Sequence, residues 1–111
     1  MLKQTYISKH TAAIVQLCSD YGVNRLYAFG SVVTDKFDPV TSDIDLLVTM
    51  DVMSPMDRGE NLIGLWDSLE LLFDKKVDLL TDESLKNPVL SSSIKENKVL
   101  IYDRSGKEVS V

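Results

Sequence analysis

The stretch FGSVVTDKFDPVTSDIDLLV, Phe29 to Val48, sets a Gly-Ser pair after one apolar run and an Asp-Ile-Asp triplet at the head of another. Aspartate is depleted in strands because its side chain competes for backbone hydrogen bonds. Two of them at the head of a strand cost local stability, so they are either its solvated beginning or a place where something binds. Alternation along a strand puts Asp43 and Asp45 on one face and turns Ile44 to the core, with the two Cα atoms about 6.6 Å apart. Two carboxylates at that spacing can converge on one or two hard cations. Magnesium takes oxygen ligands, typically one or two carboxylates plus nucleotide phosphates.

A third carboxylate sits in the segment Lys76 to Thr81 (KVDLLT), which reads as a strand. Asp78, with valine before it and two leucines after it, is hard to dismiss, because a charge amid buried apolar residues is costly unless compensated. If that strand lies beside the one holding Asp43 and Asp45, all three share a face. Gly30-Ser31 ends a short buried strand, Arg25 to Phe29 (RLYAF). Glycine permits a turn and a close approach, and the serine hydroxyl and following amides can donate to phosphate oxygens. Such pairs end many strands, so this one gains meaning only from its company.

Around this centre the periodicity gives the remaining elements. Ile7, Ile14, Leu17, Cys18 and Tyr21 mark an amphipathic helix from about Thr5 to Tyr21, with Gly22 where a left-handed C-cap belongs. Ser54-Pro55-Met56-Asp57 is a helix start, with a capping serine, proline at the first helical position and a carboxylate three residues on. The helix that follows runs to about Asp74 and carries Leu62, Leu65, Trp66, Leu69, Leu72 and Phe73 on one stripe, which places Trp66 in the core. Gly59 and Gly64 weaken it by about 1 kcal/mol each relative to alanine. The strand Asp43 to Met50, a short helix between Pro88 and Glu96, a strand Lys98 to Tyr102 and a polar tail from about Arg104 complete the reading. The loop from Ser31 to Ser42 has room for a helical turn at its start. Helices between strands predict an α/β or α+β fold, a mixed sheet of about four strands with helices mainly on one face.

With 111 residues, the chain is expected to form one domain, 1–111. A net charge of −5 argues against a general nucleic-acid binder and suits a site that gathers cations. Cys18 is the only cysteine, which excludes an intrachain disulfide or a thiolate zinc cluster. The first twenty residues lack the apolar core of a signal peptide, and no run is long enough for a membrane helix, so a cytoplasmic setting is expected.

In combination, Gly30-Ser31 after an apolar strand, Asp43-Ile44-Asp45 in a second and Asp78 in a third resemble the nucleotidyltransferase superfamily of DNA polymerase beta. The short chain looks most like its minimal, MntA-type antitoxin branch, over Ile7 to Tyr102. The resemblance implies a polymerase-beta-like fold in which Gly30 and Ser31 bind the nucleotide phosphates. It implies that Asp43, Asp45 and Asp78 are catalytic and hold Mg2+, two ions in the usual arrangement, with Asp78 also activating the attacking hydroxyl. The implied reaction passes AMP from ATP, or another nucleoside triphosphate, to an acceptor hydroxyl. The implied partner is an HEPN-domain toxin, with the protein as its type VII-like antitoxin. A non-catalytic antitoxin acting by contact, and a transferase for a small molecule or RNA, are the alternatives.

Two features depart from the family pattern. The loop between Ser31 and Asp43 holds eleven residues, VVTDKFDPVTS, one more than is usual. The arginine that many relatives carry just after Gly-Ser is replaced by Val32 and Val33, leaving Lys36 as a candidate cation. Other polar residues have plainer readings. Asp35, Asp38, Asp51, Asp74 and Asp82 suit loops and caps, His10 a surface or satisfied place on a helix, Lys75-Lys76 a solvated turn from which either lysine could face phosphate, and Ser91-Ser92-Ser93 a helix cap.

Overall fold

The computed structural model describes residues 5–34, 36–38, 40–82 and 86–105. Its elements are α1 (Thr5–Ser8), α2 (Thr11–Asp20), β1 (Val23–Phe29), a 3-10 turn (Gly30–Val33), β2 (Ile44–Met50), α3 (Pro55–Phe73), β3 (Val77–Thr81), α4 (Pro88–Asn97) and β4 (Val99–Asp103). One expected helix is thus two. The hydroxyl of Thr11 donates to the Ser8 carbonyl at 2.5 Å, and the His10 amide to Ile7 at 2.9 Å, closing a turn at Lys9-His10. A threonine that satisfies a local carbonyl competes with helix propagation.

The four strands form one sheet in the order β3-β2-β1-β4. β1 pairs antiparallel with both β2 and β4, while β2 pairs in parallel with β3. A parallel pair needs a crossover, and α3 supplies it. Its start follows from the sequence: Pro55 is the first helical residue, and the Ser54 hydroxyl accepts the Asp57 amide at 3.2 Å. Its end is Asp74, at φ 52°, in the left-handed region that short polar side chains tolerate.

Leu26, Ala28, Leu46 and Val48 are buried and, by register, share one face of the sheet. They join one apolar cluster with Ile14 and Cys18 of α2 and Leu65, Leu69 and Phe73 of α3. Gly64 has a packing reason in this arrangement, because a Cβ there would run into the Tyr21 ring at the end of α2. The start of the polar tail is held: the Arg104 amide donates to Asn24 at 2.9 Å, its guanidinium pairs with Asp51 at 2.6 Å, and the Ser105 amide donates to Asp103 at 3.0 Å. The rest of the tail lies outside the described residues. None of the described helices is long and apolar enough to cross a membrane.

Leu69 is fully buried and Leu71, two positions on, is 84% exposed. Leu69→Ala should therefore cost about 2–5 kcal/mol in chemical denaturation. Leu71→Ala should stay within about 0.5 kcal/mol of the parent protein. Equal losses would mean that α3 presents a different face to the sheet.

Candidate active site

Register fixes the site. Phe29 of β1 lies opposite Asp45 of β2, and Asp45 lies opposite Asp78 of β3. The three form a row across the sheet, on the face opposite α2 and α3. Asp43 stands one residue before β2 and is exposed, whereas Asp45 and Asp78 are partly buried. Gly30 follows Phe29 at φ 73°, and a Cβ on it would overlap the Asp45 carboxylate, with Cγ at 3.2 Å. Glycine is required here on both counts, backbone sign and space. The 3-10 turn beginning at Gly30 thus abuts the carboxylate, and its next residue is Ser31. The turn is closed by the Thr34 amide and hydroxyl, which both donate to the Ser31 carbonyl at 2.9 Å.

The electrostatics of the row are those of crowded carboxylates. Burial, then the Asp78 carboxyl within hydrogen-bonding reach and the charges of Asp78 and Asp43, push Asp45 up to about 6. Like charges this close favour a shared proton or a cation between them. Oxygen donors under mutual repulsion fit a hard divalent cation. Among the described residues no three acidic side chains stand close enough to form a closed metal cage. Asp45 and Asp78 are the pair in contact, with Asp43 the outlying member.

Sequence reasoning missed two neighbours of the row. Trp66 is not core: it is 44% exposed, and it lines a pocket of about 440 Å³ with Phe29, Asp45, Asp78, Leu79 and Leu80. Lys98, just before β4, holds its ammonium 4.4 Å from the centre of the Tyr27 ring. Tyr27 lies opposite Leu47, two residues along from the Phe29–Asp45 pair, and so on the face of the row. Lys36 is exposed, and its described hydrogen bond is a backbone one to Thr34. Val32, directly after Gly30-Ser31, is fully buried and anchors the 3-10 turn in the core.

Most of the plain readings hold. Asp38 folds the loop, accepting the amides of Val40 at 2.8 Å and Thr41 at 3.4 Å, and the Val40 bond heads the causes that lower its pKa. Asp82 pairs with Arg58 at 3.3 Å, and the His10 ring packs edge-on against Phe73 at 5.4 Å. Lys75 reaches the Phe37 ring at 5.6 Å. Asp35 lies outside the described residues. The serines at 91–93 are not the cap of α4, because they fall inside it; Asn87 caps it, its side chain accepting the Val89 amide at 3.0 Å. Cys18 is buried, and burial pushes its thiol up to about 12, which leaves no thiolate for chemistry.

Residues 12–101 match the nucleotidyltransferase domain family, and the chain belongs to it. It is 36% identical over 86 residues, 78% of this chain and 84% of the relative, to a provisionally named protein adenylyltransferase of Methanocaldococcus jannaschii. A second such protein of that organism is 37% identical over 81 residues, 73% and 79% of the two chains. A structure of a provisionally named minimal nucleotidyltransferase superposes with a TM-score of 0.62 at 25% identity, covering 86% of this chain and 93% of that one. A toxin–antitoxin structure with AMP-PNP shares the fold at a TM-score of 0.58 and 24% identity, over 86% and 75%.

The raised pKa of Asp45 gives a pH signature. An unfolded aspartate titrates near 3.9, so between there and about 6 the folded protein holds the extra proton. Its contribution to stability is complete below the lower value and is lost as pH rises through the upper one. In metal-free buffer, Asp45→Asn should gain thermal stability relative to the parent protein as pH rises across that window. A difference that stays flat or runs the other way would show that the two carboxylates do not crowd each other.

Proposed function

We propose that this protein is a magnesium-dependent protein adenylyltransferase that moves AMP from ATP to a side-chain hydroxyl of a partner protein. The observation that carries this is the Asp45–Asp78 pair beside Gly30, two crowded carboxylates against a glycine-started turn. The names borne by the M. jannaschii relatives support the choice of a protein acceptor. In this reading Gly30 and Ser31 bind the triphosphate, Asp43, Asp45 and Asp78 hold Mg2+, and all three are catalytic. Bound there, magnesium would offset the negative charge of the triphosphate and of the departing pyrophosphate. The acceptor oxygen forms a bond to the α-phosphorus, the bond to the bridging β-oxygen breaks, Asp78 takes the hydroxyl proton and pyrophosphate leaves.

The resemblance to the MntA-type branch supplies the rest of the reading. The domain works in the cytoplasm, and its partner is an HEPN-domain toxin that it silences as an antitoxin. One observation favours the alternative of an antitoxin acting by contact alone: Val32, which follows Gly30-Ser31, is buried and apolar and so brings no positive charge to the turn. We assign that charge to Lys98, held on the row's face over Tyr27.

Asp78→Asn keeps shape and hydrogen bonding but loses the charge. AMP transfer from labelled ATP to the partner should fall by about 10²-fold or more, while Mg-ATP binding stays within a few-fold. Near-normal transfer would remove Asp78 from the chemistry, and no transfer by a parent protein that still silences the toxin would favour contact alone. Lys98→Ala should raise the Kd for Mg-ATP by about tenfold, the effect of about 1.4 kcal/mol, and Lys36→Ala should leave it unchanged. The reverse order, read by calorimetry, would return the role to Lys36.

A further inference from the structure

We propose that Trp66 is the acceptor-side wall of the active site, positioning the group that carries the incoming hydroxyl while taking no part in nucleotide binding. This rests on the function proposed above. Trp66 is a large apolar residue left 44% exposed, yet its ring is not loose. Its indole N–H donates to the Val77 carbonyl at 2.7 Å, and the Val77 amide donates to Glu70 at 2.9 Å. The Ile44 amide of β2 donates to the Lys76 carbonyl instead, at 3.0 Å, so Val77 turns its backbone groups outward from the edge of the sheet. α3 therefore clamps that edge one residue before Asp78 and fixes the indole there.

The order across the sheet assigns the sides. The Gly30–Ser31 turn follows β1, Asp45 is on β2, Asp78 is on β3, and Trp66 lies over the outer edge of β3. In-line displacement at phosphorus sets the entering and leaving oxygens on opposite sides. With pyrophosphate toward the Gly30–Ser31 turn, the nucleophile enters over Asp78 from the Trp66 side. The pocket there has Asp45 and Asp78 as its charged lining and Phe29, Trp66, Leu79 and Leu80 as apolar lining. Beyond the one hydroxyl that the carboxylates can receive, the apolar lining gives a polyol nothing to bond, and the two carboxylates repel a polyanion. Such a lining suits a single hydroxyl borne on an apolar, uncharged group.

Trp66 is the only tryptophan, so its emission reads this pocket directly. Saturating Mg-AMP-PNP should leave acrylamide quenching of Trp66 unchanged, whereas N-acetyltyrosinamide, an apolar hydroxyl carrier, should reduce it and ribose should not. Trp66→Ala should raise the KM for AMP transfer to N-acetyltyrosinamide by about tenfold, as losing a buried aromatic anchor does. Its Kd for Mg-AMP-PNP should not change, and Trp66→Phe, which keeps an aromatic ring but loses the N–H that ties it to Val77, should recover only part of the KM. If Trp66→Ala does not fold, Trp66→Phe and the parent protein's quenching decide. Shielding of Trp66 by Mg-AMP-PNP would overturn the proposal in favour of a nucleobase platform. A lowered melting temperature with unchanged KM would reduce Trp66 to a structural role. Failure of the function itself shows separately, as an Asp78→Asn variant that transfers AMP normally.

Discussion

The parallel register of β2 and β3 is the constraint on which the site depends. It sets Asp45 opposite Asp78, and two partly buried carboxylates in contact repel unless a proton or cation lies between them. No hairpin can join parallel neighbours, so the chain must leave the sheet and return through α3. The apolar stripe of α3, with Leu65, Leu69 and Phe73 buried, holds β2 and β3 side by side against that repulsion. Core and site are therefore coupled through one helix.

The row was legible in the sequence because it breaks local rules. Aspartate at alternate positions of an apolar strand, and another inside VDLL, stand out against strand propensity. Glycine-serine became informative once those were in place. The structure adds the reason the glycine cannot be replaced, since its positive φ and the Asp45 carboxylate both exclude a side chain. Element boundaries fell within a few residues, and the turn after Gly30 lies where the loop had room for it. The break at Lys9-His10 was not legible, because periodicity runs on across a turn closed by one hydroxyl and one backbone amide. Nor was the cap of α4 at Asn87, four residues before the serines that drew attention.

Trp66 and Lys98 show a different limit. Helical spacing gives the angle of a side chain around its helix but not what lies beyond it. Trp66 falls at the margin of the α3 stripe, and whether that margin meets core or the edge of a strand depends on the neighbouring strand. Lys98 reads as an ordinary strand beginning until β4 is known to pair with β1, which carries it to Tyr27. Val32 makes the same point from the other side. Its burial ties the turn to the core, a contact that residue spacing alone does not reveal.

The edge of β3 brings these threads together. An exposed strand edge is a liability, because its outward N–H and C=O groups invite pairing with another chain. Here Glu70 and Trp66 occupy both outward groups of Val77, which blocks pairing at the position next to Asp78. The contact that protects the edge also fixes the indole beside the pocket. A smaller residue at 66 would free the Val77 carbonyl and open the wall together. Stability of the edge and shape of the pocket are two consequences of one hydrogen bond.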